Sequence, residues 1–313
     1  MNLATLDIGT NTTLLLVARV TPAGTLERVE ERAEITRLGR GIGAGGALGP
    51  EGIARTLAVL REYAAVARRH QATIAAIGTE ALRRASNAAA FLDPAAEILG
   101  APVEVIDGGR EATLTFRAVT EAFPEALAGA LVVVDVGGGS TEIVIAARGT
   151  VRFNVSLQLG SVRLTEQFIR HDPPRPDEVA ALTAAVDQAL IGVPFPVPVS
   201  TPITLVGVAG TVTSLAAMAE ALVSYDPARV HGYRLSQAAL AEQVARLRVG
   251  TQAARERIVG LDPRRADVIL AGALILQRIA AAAAAVEVRV SDRGIRWGLM
   301  HELAAKLAGG GAA

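Results

Sequence analysis

Two stretches of this 313-residue chain repeat one pattern with residues suited to phosphate chemistry. Asp7-Ile8-Gly9-Thr10-Asn11-Thr12 follows an apolar run at 3–6, and Asp135-Val136-Gly137-Gly138-Gly139-Ser140-Thr141-Glu142 follows one at 131–134. The two align without a gap from Leu3 and Leu131 onward, and the same offset places Thr13 on Thr141 and Ala18 on Ala146. Each copy reads as strand, Asp-x-Gly turn, strand. One such turn is an ordinary hairpin, in which Asp and Gly supply turn geometry. Two copies in register are better explained as duplicated phosphate-binding hairpins facing each other across a cleft. Gly137, Gly138 and Gly139 leave no side-chain bulk, so backbone N–H groups there and at Ser140 can approach an anion. Thr10 and Asn11 offer backbone and side-chain donors in the first copy. Asp7 and Asp135 end their strands and Glu142 follows the glycine turn, so these carboxylates could hold a hydrated divalent cation. Magnesium suits such a site, because it takes one or two carboxylates together with substrate phosphate and keeps several waters.

A third element, residues 207–213, reads as a strand, a small-residue turn and a helix start. Gly210 and Thr211 would then aim free N–H groups at an anion, although close strand–helix packing asks for the same small residues. Residues 79–87 carry the adjacent arginines Arg83 and Arg84, which could grip phosphate or lie on a solvated helix face. His70, His171, His231 and His301 show no ligand spacing. The chain has no nucleophile elbow and no Gly-x-x-x-x-Gly-Lys-Ser/Thr loop, which argues against covalent catalysis and the common nucleotide-triphosphatase loop.

Strands are expected at 3–6, 12–20, 26–35, 74–77, 103–105, 131–134, 143–146, 151–156, 203–208 and 286–290. Helices are expected at 50–69, 87–99, 109–122, 162–170, 177–191, from Thr211 onward and at 294–307, with the segment after Thr211 mostly helical. The glycine-rich 38–49 and the proline-rich 193–202 are connectors. Mixed strands and helices in both halves predict an α/β protein of two domains. An apolar content of 51% excludes a disordered chain. Lys+Arg and Asp+Glu are 31 each, so no global basic field favours nucleic acid as a partner. Cysteine is absent, which excludes disulfides, thiolate nucleophiles and zinc–thiolate sites. Lys306 is the only lysine, a bias best read as codon usage. The start lacks a basic region of the secretory kind. The longest apolar stretch, 268–286, contains Gln277 and Arg278 and is read as a buried helix; no membrane partner and a cytoplasmic location are expected.

With these motifs in hand, the chain resembles the exopolyphosphatase and guanosine-pentaphosphate phosphohydrolase family of the actin-like, sugar-kinase-like ATPase superfamily. The resemblance rests on residues 7–12, 79–87, 105–112, 135–142, 159–165, 207–213, 265–272 and 291–298, in order over nearly the whole chain. It implies two actin-like (ribonuclease H-like) domains with a cleft between them, 1–122 joined by the C-terminal helix 294–308, and 123–293. It further implies a metal-dependent phosphoanhydride hydrolase in which Glu111 is the catalytic base, Arg83 contacts phosphate, and Asp135 and Glu142 hold magnesium or another divalent cation. By the same analogy Asp7 and Gly137–Gly139 line the cleft. The expected substrate is inorganic polyphosphate, hydrolysed from its end. The rival substrate is guanosine pentaphosphate, cut to the tetraphosphate, and a non-catalytic polyphosphate or nucleotide sensor is the third reading. A homodimer is compatible with all three. An aromatic content of 3% disfavours base stacking, whereas Arg32, Arg37, Arg40, Arg84 and Arg163 could form an anion track. Two departures stand out. Arg110 replaces an acidic residue common in relatives and could be a phosphate ligand or a surface charge. The chain also has the short form without the C-terminal HD-type region, which points to short polyphosphates.

Overall fold

The computed structural model describes residues 1–21, 25–42, 46–196 and 203–310, so parts of the connectors 38–49 and 193–202 lie outside the described residues. The chain divides into two compact units: Met1–Ala118 together with Ile295–Ala313, and Val119–Gly294.

The first unit begins with β1 (Asn2–Ile8), β2 (Thr12–Val20) and β3 (Leu26–Ile35). Helix α1 (Pro50–Arg69), β4 (Thr73–Gly78), the single turn α2 (Glu80–Arg84), α3 (Ala89–Leu99) and β5 (Val103–Val105) follow. Helix α4 (Gly108–Ala122) then carries the chain across the unit boundary. Its sheet has the order β3-β2-β1-β4-β5, with β1 antiparallel to β2, β2 antiparallel to β3, and β4 parallel to both β1 and β5.

The second unit repeats the plan with β6 (Ala130–Val136), β7 (Thr141–Ala147) and β8 (Thr150–Leu157). Next come α5 (Ser161–Phe168), α6 (Pro176–Leu190), β9 (Ile203–Val208), α7 (Ala209–Ala219) and α8 (Pro227–Val230). The edge strand β10 (Arg234–Ser236), α9 (Gln237–Val249), α10 (Gln252–Arg255), α11 (Ile269–Ala282) and β11 (Glu287–Val290) complete it. The sheet order is β10-β11-β9-β6-β7-β8. Both sheets therefore run from an antiparallel meander into parallel strands, which is the actin-like α/β arrangement built twice. Strand β10 falls within a stretch read as helical from the sequence. Three residues pairing only with β11 leave too short an alternation to register.

Helix α12 (Ile295–Gly310) belongs to the first unit. Side chains alternate across β1, so Ala4, Leu6 and Ile8 pack with Leu60, Tyr63 and Phe91 of α1 and α3. On the opposite face Leu3 packs with Trp297 and Met300, and Ile77 of β4 packs with Leu114 and Leu299. Asp7 is on the same β1 face as Leu3 and Thr5. Thr5 Oγ1 donates to the Arg296 carbonyl at 2.9 Å, and Trp297 Nε1 donates to Glu31 Oε1 at 2.8 Å. In the second unit Val132, Val134, Ile143 and Ile145 pack with Leu164, Leu182, Leu215 and Leu274 in one core. Helix α11 is apolar on nearly every side because it runs through that core. Among the described residues no helix is long and apolar enough to cross a membrane.

Gly298 lets α12 approach α4 closely: a β-carbon there would overlap the Leu114 carbonyl. Gly298→Ala is therefore expected to destabilise the protein by about 2 kcal/mol through overpacking, although Ala is the better helix former. A urea midpoint at or above that of the native protein would show that the two helices do not touch as described.

Candidate active site

Both hairpin tips are built the same way. Gly9 N–H donates to the Thr12 carbonyl and Gly137 N–H to the Ser140 carbonyl, each at 3.0 Å. The segment after the third strand then takes up the carbonyls of the tip. Gly39 and Arg37 N–H donate to the carbonyls of Thr10 and Asn11, and Ser161 and Val162 N–H donate to those of Gly137 and Gly138, all at 2.9 Å. With its carbonyls occupied and the Gly9 or Gly137 N–H closing the turn, a tip has the N–H groups of its intervening residues to offer an anion. A β-carbon at Gly160 would overlap the Gly138 carbonyl, so this glycine seats α5 beneath the tip. Thr10 and Asn11 are 6% and 7% exposed. Asn11 Nδ2 is buried without an acceptor among the described residues. A stranded amide donor costs about 1–3 kcal/mol, and a bound oxyanion would satisfy it.

Glu111 and Arg83 meet. The Arg83 side chain leaves α2 immediately after β4, and α4 begins just beyond β5. Asp107 caps α4, its Oδ1 accepting from Arg110 N–H at 2.7 Å, so Glu111 sits at the end of the first turn. Glu111 is 3% exposed, and Arg83 Nη1 donates both to its Oε1 and to the Ile106 carbonyl at 2.6 Å. A buried carboxylate needs such compensation. Among the described residues Arg83 Nε and Nη2 have no hydrogen-bond partner, so one edge of the guanidinium remains for a ligand. Glu80 lies nearby, accepting from Thr10 Oγ1 at 3.4 Å and from Arg84 Nη1 at 3.2 Å. This links the tip to α2.

In the second unit Asp135 and Glu142 are direct partners across β6 and β7, so both carboxylates are on one sheet face. They are 6% and 3% exposed, and Ser156 Oγ donates to Glu142 Oε1 at 2.7 Å. Two fixed hard-oxygen donors suit magnesium, which completes its shell with water and phosphate. Among the described residues no three His, Cys, Asp or Glu side chains gather as a self-sufficient metal cage. In the first unit the residue paired with Asp7 is Leu14, so only the second copy has two carboxylates.

The small residues of the third element have packing partners. A β-carbon at Gly210 would overlap the Arg265 guanidinium, and one at Gly272 of α11 would meet Thr211. Arg265 thus lies beside the first turn of α7, a neighbour visible in the sequence only as the small residue it needs. Ala209 opens α7 at a φ of 71°, a left-handed conformation that is rare outside glycine. Of the expected arginine track, Arg32 pairs with Glu30 and Arg84 with Glu80, and Arg163 Nε donates to the Gly139 carbonyl at 2.7 Å. Arg37 and Arg40 flank the segment that supports the Thr10–Asn11 turn. Arg110, read as a phosphate ligand or a surface charge, makes an ion pair with Glu302.

A family model described as the Ppx/GppA phosphatase family matches residues 16–307. The chain belongs to the Ppx/GppA phosphatase family. Exopolyphosphatase 2 of Mycobacterium tuberculosis is 38% identical over 88% of this chain and 89% of its own length. The crystal structure of the Aquifex aeolicus Ppx/GppA family member has a TM-score of 0.82 and 34% identity, covering 98% of each chain. An exopolyphosphatase structure from Cytophaga hutchinsonii has a TM-score of 0.88 and 26% identity, covering 97% of this chain and 98% of that one.

The contact between Arg83 and Glu111 rests on the charge compensation of a buried carboxylate. Arg83→Ala should lower stability by about 3 kcal/mol, since it removes the cation paired with a buried carboxylate. Adding Glu111→Gln should recover part of that loss, because the remaining group is neutral. Equal stabilities for the single and double variants, measured by chemical denaturation, would rule out the pairing.

Proposed function

We propose that this protein is an exopolyphosphatase, which releases orthophosphate from the end of inorganic polyphosphate, with Glu111 as general base. The observation that carries the reading is the Arg83–Glu111 pair: one guanidinium nitrogen holds the carboxylate while its other edge is open. A phosphate oxygen bound on that edge stands at a distance from Glu111 fixed by a rigid planar group. The base and the reacting phosphoryl group are thereby positioned together. Glu111 takes a proton from water as the water oxygen bonds to the terminal phosphorus. The bridging P–O bond breaks, and the shortened chain leaves with the electron pair. General-base assistance of this kind is worth about 10²–10⁴-fold.

In this reading Thr10, Asn11 and the N–H groups of Gly138, Gly139 and Ser140 bind phosphate oxygens, while the Gly137 N–H closes the turn on the Ser140 carbonyl. The first turn of α7, with Gly210 and Thr211, adds donors at a helix N-terminus. Asp135 and Glu142 would hold a divalent cation; magnesium is our assignment. When bound, such a cation neutralises charge on the transferring phosphoryl group. The matched relatives named exopolyphosphatase over nearly their full length support polyphosphate as substrate.

Glu111→Gln is expected to reduce phosphate release at least a hundredfold while leaving polyphosphate binding largely intact. A phosphate-release screen over short polyphosphate, long polyphosphate, guanosine pentaphosphate and ATP checks the substrate. Highest kcat/KM on polyphosphate supports the proposal. A preference for guanosine pentaphosphate would make nucleotide hydrolysis the main activity, and an unimpaired variant would place the base elsewhere.

A further inference from the structure

We propose that Arg110 and Glu302 form a positioning pair that sets the first turn of α4, and with it the aim of Glu111; the inference rests on Glu111 being the base. The first turn is poorly determined by its own sequence. Gly108 and Gly109 follow the Asp107 cap, and glycine is the weakest helix former after proline, with no side chain to anchor. Arg110 is also the wrong sign for its place, because a cation near a helix N-terminus opposes the helix dipole. Its position is accounted for by Glu302 of α12. Arg110 Nη1 and Nη2 donate to Glu302 Oε2 and Oε1, both at 2.7 Å, a two-pronged contact that fixes direction as well as distance.

The Glu302 end is itself anchored. Lys306 donates to Glu302 Oε1 at 2.9 Å, one turn along α12. The Arg110 guanidinium, with help from Lys306, holds the Glu302 carboxyl down at about 2, so the pair is fully ionised at neutral pH. Helix α12 is tied to the sheet by Trp297 and by the Arg296 carbonyl, and Gly298 brings it against α4. Successive helical residues diverge by about 100°, so Arg110 reaches α12 while Glu111 reaches Arg83. One residue fixes the turn, and the next is aimed by it. A displacement of about 1 Å in a reacting geometry can cost on the order of 10²-fold in rate, and the Arg110–Glu302 contact adds a tertiary restraint to the local Asp107 cap against such a shift.

The test uses the full-length protein and a short linear polyphosphate, below the melting temperature of each variant. Arg110→Ala and Glu302→Ala should each lower kcat roughly tenfold, with KM within about twofold of the native value. The double variant should lose no more than either single one, since both remove the same contact. The exchanged pair Arg110→Glu with Glu302→Arg should regain most of the lost kcat. Should either alanine variant fail to fold, Glu302→Gln, which keeps the shape and removes the charge, makes the same comparison. Native kcat in the single variants, losses that multiply in the double variant, or no recovery in the exchanged pair would overturn the proposal. A raised KM at unchanged kcat would instead make Arg110 a phosphate ligand and overturn it equally. Glu111→Gln, run alongside, separates the two readings: if it is inactive while Arg110→Ala is native-like, only the positioning role is lost. If it is fully active, the base assignment itself has failed.

Discussion

A carboxylate can be kept ionised inside a protein only if something close by answers its charge. Here Arg83 answers Glu111, and much of the first unit is arranged around that contact. The end of β4 sends Arg83 out through the short α2, and the end of β5 sends the chain into the Asp107 cap and α4. The two strands are parallel neighbours, so the loops that follow them emerge at the same sheet end. The pair therefore joins residues 28 positions apart without any long-range search. Because Arg83 spends a single nitrogen on the carboxylate, the contact stabilises the buried acid and, in the proposed function, leaves a guanidinium edge for an oxyanion.

Duplication supplies the rest, and the differences between the copies supply the division of labour. In each unit the carbonyls of the hairpin tip accept from the segment after the third strand. In each, a threonine under the tip is bonded to that same segment: Thr13 with Thr36 Oγ1 at 3.0 Å, and Thr141 with the Leu159 carbonyl at 2.6 Å. The first copy then has Thr10 and Asn11 at its turn and Leu14 opposite Asp7. The second has Gly138 and Gly139 at its turn and Glu142 opposite Asp135. One copy offers side-chain donors and a single acid; the other offers bare backbone and an acid pair suited to a cation.

The repeated strand–turn–strand units were visible in the sequence because the apolar runs, the Asp-x-Gly turns and the strands beyond them recur at one spacing. The buried α11 was also legible, as its apolar residues occur on all sides. Strand β10 was not, since Arg234, Leu235 and Ser236 carry a single core-facing side chain. What no local pattern could disclose is which charges meet. Arg83 and Arg84 are adjacent and chemically identical, yet one reaches Glu111 and the other Glu80. Arg110 looks like a spare cation until α12 brings Glu302 to it from 192 residues away. The arginine track fared similarly, because Arg32 and Arg84 are engaged by acids close to them in the fold.

In the proposed reaction a water molecule, deprotonated by Glu111, attacks the last phosphorus of the polyphosphate. Turnover of a short linear polyphosphate in ¹⁸O-enriched water, followed by mass spectrometry of both products, reads this directly. Each released orthophosphate should carry one solvent oxygen, and the shortened chain should carry none. Label in the shortened chain, with unlabelled orthophosphate released, would mean that attack falls on the penultimate phosphorus and would contradict the account.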